Sequence, residues 1–100
     1  MGRDGMAIYT ARLMDAKSGN EGLYDFEAPD DFLTRTPVRV VRHFMEFVDK
    51  DVLPSQHVDY ELNAALKNPA GSVVTAMGNL HFEHGEDPAP FLLMIAAKPQ

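Results

Sequence analysis

The sequence of 100 residues contains no cysteine. This absence excludes disulfide bonds, thiolate metal ligands and thiol nucleophiles in one step. It is also consistent with a reducing compartment, where disulfides are rare. We therefore expect a cytoplasmic protein that draws its stability from an ordinary hydrophobic core.

Long apolar runs are missing as well. No stretch approaches the roughly 20 apolar residues that a transmembrane helix needs, and no charged-then-apolar leader has the form of a signal peptide. Residues 1–5 are polar and contain two glycines. We expect them to form a disordered leader, followed by a single domain over residues 6–98 that has no membrane partner.

Basic charge is scarce, because nine Lys and Arg residues stand against 15 Asp and Glu residues, for a net charge of −6. The only basic cluster comprises Arg35, Arg39 and Arg42, and Glu46 lies beside it. A surface that binds phosphate backbones needs dense positive charge. The composition therefore predicts no nucleic-acid partner, and acidity of this size favours solubility.

The clearest helix signal lies in residues 36–54. Thr36 is a suitable N-cap, Pro37 suits the first helical position, and Pro54 marks the end. Apolar side chains fall on one half of the helix, centred on Val41 and Phe44. A face this broad predicts that the helix packs on a sheet.

Alternating apolar and polar residues predict five strands around this helix, separated by turn-forming Gly, Pro and Asn residues. The order ββαβββ predicts an α+β domain: a mainly antiparallel five-stranded sheet with one helix packed across one face. The opposite face must then be solvated, bound to a ligand or joined to a partner. The predicted strands cover residues 6–14, 23–28, 56–66, 72–84 and 91–97.

The turn at residues 67–71 predicts a hairpin in which Leu66 faces Ser72. In this register Tyr60 lies opposite Gly78, which would leave room for the aromatic ring. The predicted inward face of the third strand consists of Val58, Tyr60, Leu62, Ala64 and Leu66.

The same register places His57 opposite His81 on the outward face, with Asp59 and Glu83 beside them. Two imidazoles flanked by carboxylates can hold zinc or another divalent metal ion, or act as an acid–base pair. No compact ligand motif such as HExxH supports this site, and the simpler alternative is a solvated sheet face. A divalent metal is therefore possible, and no other cofactor is predicted.

The last strand is apolar at every position, which is typical of a strand buried on both faces. If Leu92, Met94 and Ala96 pack on one side of it, then Phe91, Leu93 and Ile95 need cover on the other, and Met77 on the preceding strand also lacks a packing partner. We predict a homodimer whose interface includes Met77, Leu92 and Met94. The alternative is that the last strand lies between the hairpins and that the connector before the helix covers its second face.

Four aromatic residues suggest a third possibility, a small-ligand pocket between helix and sheet, although aromatic residues in these positions commonly form plain core. The sequence has no P-loop, no GxGxxG and no nucleophile elbow. It therefore favours a non-enzymatic binding module over a metal-dependent or acid–base enzyme, and leaves the protein or small-molecule partner open. The pocket would be lined by Tyr24, Phe44, Tyr60 and Phe82.

Overall fold

The computed structural model describes residues 5–16, 19–52, 58–82 and 87–99, with the backbone alone at Val58. The predicted order ββαβββ is confirmed. The elements are β1 (Met6–Asp15), β2 (Asn20–Pro29), a 3-10 turn (Phe32–Thr34), α1 (Pro37–Phe47), a π-helical segment (Val48–Val52), β3 (Val58–Lys67), β4 (Val73–Phe82) and β5 (Ala89–Ala97).

The five strands form one antiparallel sheet in the order β2-β1-β5-β4-β3. Strand β5 lies at the centre of the sheet, between β1 and β4. The two edge strands, β2 and β3, are consecutive in the chain, and α1 lies in the connection between them. The helix packs on one face of the sheet, so the predicted α+β architecture is confirmed.

The core lies between α1 and the sheet. Phe44 of α1 is fully buried, and its ring lies 5.5 Å from that of Phe26 on β2. Phe32, from the 3-10 turn, fills the space beside Phe26 at 5.7 Å and is also fully buried. Burial of each large apolar side chain stabilises the fold by about 1.5–3 kcal/mol. The hydrophobic core therefore lies on this helix-covered face.

The helix begins where predicted, with Thr36 as its N-cap residue, but the capping bond and the end of the helix differ from the prediction. Pro37 occupies the first turn as expected, but the Thr36 hydroxyl makes no capping bond. The Thr36 carbonyl oxygen instead accepts from the backbone N–H groups of Arg39 and Val40, at 3.0 and 3.1 Å. Because Thr36 is exposed, water can satisfy the remaining first-turn N–H groups. The α-helix ends at Phe47 and continues as the wider π-helical segment, and residues 53–57 lie outside the described residues.

The register of the β3–β4 hairpin differs from the prediction. Tyr60 pairs with Leu80 and not with Gly78, a shift of two residues, and Leu66 pairs with Thr75 and not with Ser72, a shift of three residues. The turn is longer than expected. The Asn68 side-chain oxygen accepts from the backbone N–H groups of Ser72 and Val73, at 2.8 and 2.9 Å. This Asx-type arrangement closes the loop, and the first ladder pair before it joins Lys67 to Val74.

A β-bulge lies between Leu62 and Ala64 and reverses the faces of β3 beyond it. Ala64 and Leu66 are therefore exposed, so their predicted inward positions are wrong. Gly78 lies opposite Leu62, and a Cβ atom there would overlap the Glu61 carbonyl oxygen. The two backbones approach this closely only because Gly78 has no side chain.

Candidate functional site

The sheet face opposite the helix, called here the open face, carries a continuous row of apolar side chains. Met14, Leu92 and Met77 are cross-strand neighbours on β1, β5 and β4. Met94 lies two residues further along β5, opposite Thr75. Met77, Leu92 and Met94 are 49%, 46% and 42% exposed. We call Met14, Met77, Leu92 and Met94 the open-face patch, and three of its four members are those predicted to form an interface.

Hollows surround the centre of the open-face patch. Leu92 borders two depressions of about 280 Å³ and a third of about 70 Å³. One of the larger depressions lies beside Met94 and Arg12, and the other lies beside Met77 and Asn79. Alternating projections and hollows can interlock with side chains of another surface.

Polar pairs border the patch on the side of β1 and β2. The Arg12 Nε and Glu21 Oε1 atoms lie 3.1 Å apart. Lys98 Nζ donates to Asp25 Oδ2 at 2.6 Å, and the Thr10 hydroxyl donates to Asp25 Oδ1 at 3.0 Å. The hydrogen bond from Lys98, with that from Thr10, lowers the pKa of the Asp25 carboxyl. These exposed pairs define a charged rim.

Polar residues also border the patch on the side of β3 and β4, where the metal site was predicted. His81 pairs across the strands with Asp59, so the predicted pairing with His57 is wrong. The Nε2 atom of His81 lies 3.7 Å from Oε1 of Glu61. Asn79 Nδ2 lies 3.4 Å from the same Glu61 oxygen.

Two of the four predicted metal ligands, His57 and Glu83, lie outside the described residues. Among the residues that are described, no group of three or more histidine, aspartate or glutamate side chains is placed to hold a metal ion. The divalent metal site therefore stays a prediction, and Asp59 and His81 are the two members that the fold brings together.

The four aromatic residues predicted to line a pocket pack against the core. Phe44 is fully buried, and the Tyr24 ring lies 6.2 Å from it. Tyr60 and Phe82 are half-buried on β3 and β4 against the same core. Their packing accounts for their positions, and a ligand pocket between helix and sheet stays a prediction.

Another depression, of about 610 Å³, lies along the β2 edge of the sheet, and we call it the edge groove. Sequence reasoning did not identify it. One signal was available: Asp51 lies near the C-terminal end of the helix, where a negative charge opposes the helix dipole. Four carboxylates line the edge groove, those of Asp25, Glu27, Glu46 and Asp51.

Aromatic rings form the apolar part of the edge groove. Phe26 and Phe47 lie 5.8 Å apart between centroids, and both line it. The His43 ring lies 4.9 Å from Phe32, and its Nε2 atom is 3.3 Å from the Glu27 carbonyl oxygen. The edge groove thus combines an apolar base with acidic walls.

Comparison of the chain with protein-family models, with curated proteins and with solved structures found no match. In the part of the chain that the structure describes, every helix is too short or too polar to cross a membrane. The open face and the edge groove are therefore the two candidate sites of this protein.

Proposed function

We propose that this protein is a small acidic binding module that self-associates, with the open faces of two copies packed against each other. The observation that carries the proposal is the open-face patch, an apolar row across three adjacent strands on the face that the helix leaves uncovered. Contiguous apolar surface of this kind is typical of interaction sites in folded proteins.

The size of the open face supports this assignment. Strands of ten residues are about 33 Å long, and five strands at a spacing of about 4.8 Å are about 24 Å wide. The open face therefore measures roughly 800 Å², which equals the area that each partner buries in an interface of standard size. Two such faces can pack about 10 Å apart as a β-sandwich.

The composition of the open face also supports self-association. An interface core depleted of charge and a polar rim are typical of protein interfaces. Here the open-face patch contains no charged residue, and the rim carries both signs of charge, with Arg12 and Lys98 on one side and Glu61 on the other. Three methionines in the patch supply side chains that adapt to a facing surface.

Leu92→Asp tests the proposal, because a carboxylate at the centre of the interface would lose its water without gaining a partner. We expect wild type to elute as a dimer in size-exclusion chromatography with light scattering at about 100 µM, and Leu92→Asp to elute as a monomer. Val38→Asp is the matched control: Val38 is 48% exposed, close to the 46% of Leu92, and lies on α1 on the other side of the sheet, so this variant is expected to stay dimeric.

Circular dichroism would be used to check that each variant is folded. A wild-type mass of one chain, or a folded Leu92→Asp dimer, would contradict the proposal. The proposal also places the protein in the cytoplasm, on the ground of its cysteine-free sequence, and excludes nucleic acid as the partner because of the net charge of −6.

A further inference from the structure

Strand β2 forms one edge of the sheet, and its outer side has no neighbouring strand among the described residues. Along an antiparallel ladder, the backbone groups of successive residues point alternately to one side and the other. The Ile8 carbonyl oxygen accepts from Lys98 N–H at 3.0 Å, so the backbone of Ile8 faces β5. Its partner Glu27 therefore turns its own backbone outward, as do Asp25 and Leu23.

One of these outward groups already has a partner. The Glu27 carbonyl oxygen lies 3.3 Å from His43 Nε2 of the helix. Further along β2, the N–H and C=O groups of Asp25 and Leu23 point away from the sheet. An exposed strand edge of this kind is a template to which an extended peptide can add.

The edge groove extends around this edge. Ile8 and Glu27 are cross-strand neighbours on the open face, whereas Phe26 and Phe47 lie on the helix-covered face. All four line the same depression of about 610 Å³. A depression with walls from both faces of a sheet runs alongside the edge, where an added strand would lie.

The charge of the edge groove selects the occupant. Four carboxylates line it, against the single ammonium group of Lys50. In the described part of the chain, Glu27, Glu46 and Asp51 make no ion pair. A second copy of β2 would bring its own acidic residues against these, and like charges on adjacent strands are destabilising. The occupant is therefore a different, basic segment.

We propose that the edge groove binds an extended basic peptide of another protein, which adds to β2 as a sixth strand. Successive side chains of an added strand point to opposite faces. Lysine or arginine at alternate positions would then face Asp25 and Glu27, and the apolar residues between them would contact Phe26 and Phe47. None of the four residues of the open-face patch lines the edge groove.

The test uses a fluorescently labelled ten-residue peptide in which lysine and valine alternate. We expect saturable binding by fluorescence anisotropy that weakens with added salt. In an antiparallel added strand, the lysines that face Asp25 and Glu27 are the residues whose backbone N–H groups point to β2. A peptide with a methyl group on the backbone nitrogen of two of its lysines has the same charge but lacks two of these donors, and is expected to bind at least about tenfold more weakly. A peptide of alternating glutamate and valine is expected not to bind.

Variants of the protein locate the site. The double change Glu27→Lys and Glu46→Lys is expected to weaken binding of the lysine peptide by about tenfold or more, since each charge reversal replaces attraction by repulsion. Glu61→Lys is the matched control, because Glu61 lies near the opposite edge of the sheet and is similarly exposed. This control is expected to bind within about twofold of wild type.

Three results would overturn the proposal: no binding of the lysine peptide at millimolar concentration, equal binding of the N-methylated peptide, or equal weakening by Glu61→Lys. The Leu92→Asp variant separates this proposal from self-association. A monomeric Leu92→Asp protein that binds the peptide normally supports the edge groove independently of the dimer.

Discussion

The two faces of the central strand differ in environment far more than in composition. On β5, Leu93 and Ile95 are 1% and 0% exposed beneath the helix, while Leu92 and Met94 are 46% and 42% exposed on the open face. All four are large apolar residues in one run of sequence. An uninterrupted apolar strand therefore indicates two faces that need cover. This chain covers only one of the two faces itself.

The adjacent leucines of β5 give the largest expected effect and the most direct test of this comparison. Leu93→Ala removes a fully buried side chain and is expected to lower the free energy of unfolding by about 2–5 kcal/mol. Leu92→Ala makes the same chemical change on the open face and is expected to cost under about 1 kcal/mol in the monomer. Urea denaturation, at a protein concentration where light scattering gives one chain, measures both.

Equal losses for the two leucines would show that the open face is covered within a single chain. A larger loss of stability for Leu92→Ala at high protein concentration than at low concentration would show that the second face is buried in the dimer. The reason is that association with a partner adds to the apparent stability.

The close approach of β3 to β4 supplies the next prediction. Gly78→Ala would place a Cβ atom against the Glu61 carbonyl oxygen, and neither backbone can move without breaking the ladder. We expect a loss of about 1–3 kcal/mol, as for other overpacked sites. Thr75→Ala, at an exposed position of the same strand, is the control and is expected to change stability by under about 0.5 kcal/mol.

A Gly78→Ala variant as stable as this control would mean that the bulge relaxes freely. In that case the close approach of β3 to β4 would not require glycine at position 78.

The smallest of these effects concerns the buried Tyr9 on the helix-covered face. Its hydroxyl donates to the carbonyl oxygens of Pro29 and Asp30, at 2.7 and 3.1 Å. Tyr9→Phe removes this donor, and we expect a loss of about 1 kcal/mol near neutral pH. Tyr24→Phe, at a half-buried position on β2, controls for the loss of a phenol.

The pH dependence of the same variant adds a test of sign. Burial is the main cause that raises the pKa of the Tyr9 phenol above its usual 10.0, so the folded state favours the protonated form. The stability from this group is fully present below pH 10 and is lost as the pH rises through the folded pKa. The difference in stability between wild type and Tyr9→Phe is therefore expected to shrink above pH 10, and a difference that grows would contradict this account.

Much of the fold followed from local patterns. The alternation in β4, the position of Pro37 and the apolar half of the helix predicted an antiparallel sheet covered on one face. The outward position of Met77 was expected from the alternation in β4, and Leu92 was expected at an interface because β5 is apolar at every position. The role of these residues in an interface stays a prediction, because it depends on a second chain.

The register and the edge groove could not be predicted in this way. Moving β3 by two residues leaves the same side chains on the same face, so the apolar pattern cannot distinguish Tyr60 opposite Gly78 from Tyr60 opposite Leu80. The edge groove combines Glu27 of β2 with Glu46 of the helix, which are far apart in sequence. Their proximity depends on how the helix packs.

Sequence alone therefore sufficed for the type and order of the elements, because periods of two and of 3.6 residues are properties of a single segment. The tertiary structure decided three further points. Asn68 forms the hydrogen bonds that close the hairpin, the bulge opposite Gly78 reverses the faces of β3 near its end, and β5 takes the central position in the sheet. Each depends on two segments meeting at atomic distance. The same packing decided which apolar face this protein covers with its helix and which it leaves for a partner.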